Sequence, residues 1–257
     1  YEQRVTAEGT VLVVDIGGGT SDFTVARVGP DRAVFADRGS DILVTTGVHI
    51  GGIDFDQLLN LGHVMPLLGL GHVGPHGRSM PSSLFHALST WHLVPQCYTR
   101  KSLHDAAQLR SDYTEPTLHK RLMHVLHERQ GHRILAHTEA AKIDCSNTRA
   151  DAQIELNCIE QGLGVPLTPA GLDATLQAQV ASIVACAQAC VARSGVPANR
   201  LQALYLTGGS SALAPLGVAL GEAFPGAQLV TGDRLGSVAA GLAYGGAAVG
   251  RAMAVES

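Results

Sequence analysis

The feature that most constrains the fold is the segment of residues 11–28, in which three consecutive glycines join two strand-like runs. The continuous apolar run of residues 11–14 is typical of a central strand that is buried on both faces. Alternation of apolar and polar residues after the glycines predicts a second strand, and the glycines allow a tight turn between the two. The segment therefore predicts a hairpin in which Asp15 pairs with Asp22.

The composition limits the classes of protein that the chain can belong to. The 257 residues, 46% hydrophobic and 16% charged, can bury a sizeable core, which excludes a disordered chain. A formal net charge of −4 gives no general attraction for nucleic acid or anionic lipid, so neither is an expected partner. No apolar run reaches the ~18 residues of a membrane span and no signal-peptide pattern opens the sequence, so we expect a soluble cytoplasmic protein. The five cysteines have no C-x-x-C spacing, which favours reduced thiols.

The composition changes in the middle of the chain. All twelve histidines lie between His49 and His137, and prolines and glycines interrupt the apolar pattern of residues 65–81. This change predicts a smaller α/β subdomain, residues 53–165, inserted into a domain made of residues 1–52 and 166–257. Within the insertion we expect a helix capped by Asp54, one or two helices in residues 117–143 and a strand at residues 153–159.

The segments on either side of the insertion predict an α/β fold with a mixed sheet. Residues 172–194 form the clearest helix of the sequence, because their apolar side chains share one face and Gly195 follows them. A strand, a glycine turn and a helix with Pro215 in its first turn come next. Further expected elements are strands at residues 33–36, 42–49, 203–206 and 228–230, and a helix from Ser237.

Two carboxylates form the first candidate binding site. Directly opposed residues of a hairpin point to the same face, where two like charges destabilise the pair, so Asp15 and Asp22 indicate a nearby cation. Magnesium suits hard oxygen ligands and is commonly shared with phosphate oxygens. The glycines between the two aspartates let backbone N–H groups approach an anion, and Thr20 adds a hydroxyl. An ordinary hairpin turn is the alternative interpretation.

A second glycine turn occupies residues 206–210, between a predicted strand and a predicted helix. It could present a helix N-terminus and a closely approaching backbone to a phosphate or a nucleoside. Many α/β folds also turn a strand into a helix with glycines, so a purely structural turn stays open. The dinucleotide-binding fingerprint does not match, because Asp22 stands where that pattern needs glycine, and no G-x-x-x-x-G-K-[ST] motif occurs.

Several motifs of the chain resemble those of one ATPase superfamily. They are residues 14–22 (VDIGGGTSD), residues 51–56 (GGIDFD), Glu139 and Lys142 with Ser146, and residues 206–210 (LTGGS). In this order they resemble the actin, sugar-kinase and heat-shock ATPase superfamily, most closely the DnaK-type heat-shock chaperones. Residues 61–70 and 236–243 are more similar to the divergent YegD-type members.

The resemblance implies an actin-like ATPase fold, which is ribonuclease H-like, and a two-lobed clamp for ATP or ADP of which this chain matches the second lobe. Asp15 and Asp22 would be the catalytic carboxylates and would hold Mg²⁺ through water. The β- and γ-phosphates would contact Gly17, Gly18, Gly19 and Thr20. The nucleoside would be surrounded by Glu139, Lys142, Ser146, Gly208, Gly209 and Ser210.

The resemblance also implies an activity and partners for a longer parent protein. The parent would hydrolyse ATP, and its partners would be the missing first lobe of the same polypeptide, polypeptide clients and co-chaperones. The lobe alone is expected to bind nucleotide weakly and to hydrolyse it negligibly. The family's adenine-sandwiching arginines would align with Ile143 and Ala212, which removes guanidinium stacking.

Two other functions stay open at this point. The spacings of His124 with His127 and of His72 with His76 could bring imidazoles together in a zinc- or nickel-binding module, although histidines on solvated helices explain them as well. An actin-like filament or scaffold protein would keep the same nucleotide fold. Fold similarity cannot separate these functions, because the superfamily includes kinases, filaments and chaperones.

Overall fold

The computed structural model describes residues 7–32, 38–75 and 77–232 and shows an α/β protein. The strands are β1 (Gly9–Ile16), β2 (Ser21–Val28), β3 (Ile42–Val48), β4 (Ala152–Glu155), β5 (Gly164–Leu167), β6 (Leu201–Thr207) and β7 (Gln228–Thr231). The α-helices are α1 (Gly52–Leu59), α2 (Ser83–Leu88), α3 (Arg100–Gln108), α4 (Pro116–His127), α5 (Gly131–Thr148), α6 (Pro169–Ser194) and α7 (Ala214–Ala223).

The chain divides into two compact units. The sheet unit comprises residues 1–52 and 178–257, and the helical unit comprises residues 53–177. The division predicted from composition ends the insertion at residue 165, whereas the helical unit also includes the first turns of α6. The sequence does not mark the boundary at residue 177, because it falls within the continuous helix α6.

A mixed five-stranded sheet forms the centre of the sheet unit, in the order β3-β2-β1-β6-β7. The strands β1, β2 and β3 pair antiparallel, whereas β6 pairs parallel with β1 and β7 pairs parallel with β6. Leu12, Val14 and Ile16 share one face of β1 and are fully buried, whereas on the other face Val11 is buried and Val13 and Asp15 are half-buried. The predicted central position of this strand is confirmed, and its second face is partly buried.

The helices of the helical unit pack together through apolar side chains that they contribute to a common core. Phe55, Phe85, Leu122 and Ile134 are fully buried, and a small antiparallel pair, β4 with β5, completes the unit. The predicted helical stretch of residues 117–143 is divided into α4 and α5, which Arg129 separates at a φ of 53°. The left-handed backbone at this position ends α4.

Some sequence predictions need correction or fall outside the described residues. Asp54 does not cap α1 but lies in its first turn, since the helix begins at Gly52. The strand predicted at residues 153–159 ends at Glu155, because Asn157 accepts a hydrogen bond from Gly162 N in a turn. The predicted strand at residues 33–36 and the helix from Ser237 lie outside the described residues.

Helix α6 confirms the clearest helix of the sequence, and Gly195 follows it with a φ of 72°. Among the described residues it is the one helix whose length and composition would suffice to cross a membrane. Leu172, Leu176 and Ile183 are fully buried along it, as in a helix that packs on a protein core. Because the core helix of a protein passes the same test, this helix is weak evidence for a membrane span.

All five cysteines are free thiols, as the sequence predicts. Cys97, Cys145, Cys158 and Cys190 are buried, and Cys186 is half-buried. Burial raises the pKa of the Cys97 thiol to about 11. These thiols behave as small apolar core groups rather than as nucleophiles.

Candidate functional site

The first glycine turn has the predicted register. Asp15 is paired with Asp22 across β1 and β2, and Gly17 N donates a hydrogen bond to Thr20 O at 2.9 Å. Thr20 Oγ1 donates to Asp22 Oδ2 at 2.9 Å, which fixes the orientation of that carboxylate. The turn therefore holds two carboxylates side by side at one end of the hairpin.

Among the described residues, no cationic side chain forms an ion pair with either of these two carboxylates. Burial raises the pKa of Asp15, and the negative charge of Asp22 raises it further. A bound cation would lower the free energy of both carboxylates.

The turn between β3 and α1 packs directly on the first glycine turn. Gly52 N donates to Gly17 O at 3.0 Å, and Ser21 Oγ donates to Ile50 O at 2.7 Å. A Cβ on Gly51 would lie 2.6 Å from the backbone of Gly18, closer than real Cβ contacts. Glycine at position 51 is therefore a requirement of this backbone approach.

The second glycine turn approaches the same place. Gly208 has a φ of 81°, and a Cβ there would lie 2.3 Å from Ile16 O and 2.6 Å from Asp15 Oδ1. A Cβ on Gly52 would lie 2.4 Å from Ser210 Oγ. Three glycine turns thus meet beside Asp15, and we call them the glycine cluster: residues 17–20, 49–52 and 208–211.

One glycine of the site was missed by sequence reasoning. Gly47 pairs with Asp22 across β2 and β3, and a Cβ there would lie 2.6 Å from Asp22 Oδ1. The signal that could have identified it is strand register, because the predicted strands β2 and β3 bring this glycine opposite an acidic residue. The missing side chain leaves room for the carboxylate of Asp22.

The nucleoside-contacting residues predicted on α5 belong to the helical unit. Glu139 is exposed, whereas Lys142 and Ser146 are buried. Lys142 Nζ lies 2.7 Å from Asp56 Oδ1 in an ion pair that the sequence did not predict. Burial raises the pKa of Asp56 to about 6, Lys142 opposes this shift, and Glu139 adds to it.

Three histidines of the helical unit lie within hydrogen-bond distance of backbone carbonyl oxygens. The Nε2 atoms of His119, His124 and His132 lie 3.1 Å, 3.2 Å and 3.0 Å from the carbonyl oxygens of Ala106, Cys158 and Trp91. Within the described ranges no group of three or more His, Cys, Asp or Glu side chains could hold a metal ion. His76, one member of the predicted histidine pairs, lies outside those ranges.

The chain matches no protein-family model. Gly18 and Gly19 are exposed, and among the described residues no hydrogen bond uses their N–H groups. The cluster offers anion-binding backbone donors beside two cation-binding carboxylates.

Proposed function

We propose that the glycine cluster binds the phosphates of a magnesium nucleotide, ATP or ADP. In this proposal the chain is the second, ATP-binding lobe of a heat-shock-chaperone-like ATPase with the actin-like fold, most similar to the YegD-type members. The observation that carries the proposal is the pairing of Asp15 with Asp22 beside three converging glycine turns.

The two aspartates suit magnesium. Mg²⁺ usually binds proteins through one or two carboxylates and completes its octahedron with water and substrate phosphates. Asp15 and Asp22 supply that number of hard oxygen ligands, and Thr20 orients the second carboxylate. When bound, the ion would neutralise negative charge on the phosphates and the carboxylates together.

The glycine turns suit phosphate because their backbone comes close and their N–H groups are accessible. The backbone N–H groups of Gly18, Gly19 and Thr20 would contact the β- and γ-phosphates, whereas the N–H of Gly17 donates to Thr20 O and maintains the turn. The Thr20 hydroxyl donates to Asp22 Oδ2 and so orients a carboxylate that would hold the metal ion. Neighbouring backbone occupies the spaces that a Cβ would fill at Gly51 and Gly208, so these turns pack closely against adjacent segments. Such preorganised donors bind an anion with little loss of conformational entropy.

The nucleoside would be bound by two sets of residues in this proposal. Gly208, Gly209 and Ser210 belong to the glycine cluster, whereas Glu139, Lys142 and Ser146 lie on α5. Ile143, which stands where the family has a base-stacking arginine, is 49% exposed and presents an apolar surface instead. We propose that contacts to the base contribute less affinity here than contacts to the phosphates.

The proposal extends to the setting in which the lobe acts. A complementary lobe would supply the other half of the ATP clamp, and polypeptide clients or co-chaperones would respond to the nucleotide state in the cytoplasm. Hydrolysis in the complete clamp would be by water, with preorganised donors stabilising the transferred phosphoryl group. This chain alone would hydrolyse ATP negligibly.

Calorimetric titration of the full chain with ATP, ADP and GTP, with and without Mg²⁺, tests the proposal. We expect weak nucleotide binding that falls at least about tenfold without Mg²⁺ or in Asp15→Asn, because two carboxylates are needed to hold the ion. Asp31→Asn is the matched control, since Asp31 is exposed and is not part of the glycine cluster. Binding that ignores both Mg²⁺ and Asp15→Asn would contradict the proposal. Sedimentation that increases with concentration and ATP would indicate the filament function instead.

A further inference from the structure

A cavity lies inside the helical unit and involves none of the glycine cluster. Its volume is about 280 Å³, and its lining residues are Ile53, Asp56, Ser89, Trp91, Leu135 and Glu139. This volume is close to the lower end of small-molecule sites, which hold roughly 300–1,000 Å³. The cavity can therefore accept a small organic molecule rather than a whole nucleotide.

The ionisable groups around the cavity carry more negative than positive charge. Asp56 and Glu139 line it, and Lys142 is the cation that pairs with Asp56. Glu139 is exposed and takes part in no ion pair among the residues that the structure describes. Near neutral pH these groups leave about one uncompensated negative charge at a partly apolar surface, so the cavity favours a cation.

An aromatic ring and aliphatic side chains form the rest of the cavity. Trp91 is 55% exposed and Ile53 is 47% exposed although both line the cavity, whereas Leu135 is buried. The Trp91 ring lies 4.5 Å, between centroids, from the ring of His132, whose Nε2 is 3.0 Å from Trp91 O. An anchored indole attracts cations through its π-face and also packs against apolar groups.

We propose that this cavity binds a small primary ammonium ion carried on an apolar body. The ammonium group would be placed between Glu139 and the indole of Trp91, with Ser89 Oγ as a further acceptor. The apolar body would contact Ile53 and Leu135. Glu139 is shared with the nucleoside contacts proposed above, but the inference does not rest on that function.

The single tryptophan of the chain makes the test direct, because Trp91 is the only source of indole fluorescence. Titration with 2-phenylethylamine should give a saturable change in emission at ~millimolar concentrations. The neutral analogue 2-phenylethanol has the same ring and should bind at least about tenfold more weakly, because it lacks the charge. Equal binding of the amine and the alcohol would overturn the proposal.

Two test substitutions and one control show which carboxylates the amine requires. Glu139→Gln should weaken amine binding about three- to fivefold, since the carboxylate is exposed and screened by solvent. Asp144→Asn is the matched control on the same helix, because Asp144 is exposed and does not line the cavity. Unchanged binding in Glu139→Gln, or an equal loss in Asp144→Asn, would refute the assignment. Asp56→Asn, checked for folding by circular dichroism, should cause a larger loss because Lys142 would then repel the ligand.

A second pair of probes identifies the source of the ammonium group. Nα-acetyl-lysine methylamide represents a lysine side chain of a polypeptide, and its Nε-acetylated form is the neutral control. Binding of the lysine derivative as strong as that of 2-phenylethylamine would indicate a protein ligand, and preference for 2-phenylethylamine would indicate a free amine. Failure of both the lysine derivative and 2-phenylethylamine to bind would overturn the proposal. The result is independent of Mg²⁺ and Asp15→Asn, so its failure is distinguishable from failure of the nucleotide proposal.

Discussion

The two units of the chain use their polar residues in different ways. In the sheet unit, Asp15 and Asp22 stand side by side without a cationic partner among the described residues, at a turn whose backbone donors are exposed. In the helical unit, the buried carboxylate of Asp56 has a cationic partner within the structure, because it forms an ion pair with Lys142. Unbalanced polar groups on a rigid backbone indicate a ligand, whereas satisfied ones indicate stability.

The strongest test of this comparison removes the buried cation of the helical unit. Lys142→Met should lower the free energy of unfolding by about 3–5 kcal/mol at pH 7.5, because Asp56 would stay buried without its partner. Urea denaturation followed by Trp91 fluorescence measures the change, since this tryptophan lies in the helical unit.

The matched control is an ion pair of the same unit whose acidic partner is exposed. Arg121 Nε lies 2.7 Å from Glu160 Oε2, and the Glu160 side chain is 51% exposed. Arg121→Met should therefore cost at most about 1 kcal/mol. Similar losses in the two variants would show that the Lys142 pair has no special structural role.

Next in size is the effect of a side chain inside the glycine cluster. Gly208→Ala should destabilise the protein by about 3 kcal/mol, because its backbone conformation is nearly restricted to glycine and its Cβ would lie 2.3 Å from Ile16 O. Thermal unfolding followed by circular dichroism measures the loss. Gly209→Ala is the control, since a Cβ there meets nothing within 4 Å. An equal loss at both positions would contradict this account of the turn.

The smallest expected effect is the pH dependence that Asp56 contributes. Its pKa is about 6 in the folded protein against 3.8 for the ordinary group, so the folded state binds more protons between these values. Stability from this group is therefore greatest below pH 3.8 and falls as the pH rises towards 6, by at most about 3 kcal/mol. Urea denaturation between pH 4 and 7 should show this slope in Asp144→Asn and lose it in Asp56→Asn. A slope that persists in Asp56→Asn would assign the titration to another group.

The part of the site that the sequence predicted depends on short-range geometry. Three adjacent glycines restrict the turn between β1 and β2, so the pairing of Asp15 with Asp22 follows from counting residues. The central position of β1 follows from its uninterrupted apolar run, which is also a local pattern. Local patterns are informative where the chain turns back on itself within a few residues.

The remainder depends on contacts between segments that are far apart in the sequence. Neither the spacing nor the residue types around Asp56 indicate that Lys142 will be its partner. The placement of Trp91 beside Glu139 in one cavity is equally a result of helix packing. The actin-like fold and the nucleotide function stay predictions from motif resemblance, since the structure shows the coarser α/β class.

The distribution of the buried thiols has a practical consequence for following conformational opening. The buried Cys97, Cys145 and Cys158 lie in the helical unit, whereas the buried Cys190 lies in the sheet unit. Alkylating reagents react with thiolates, so a buried cysteine is modified only when its surroundings open. Peptide mapping after timed alkylation would thus record the opening rate of each unit separately, in the unaltered chain and without an added label.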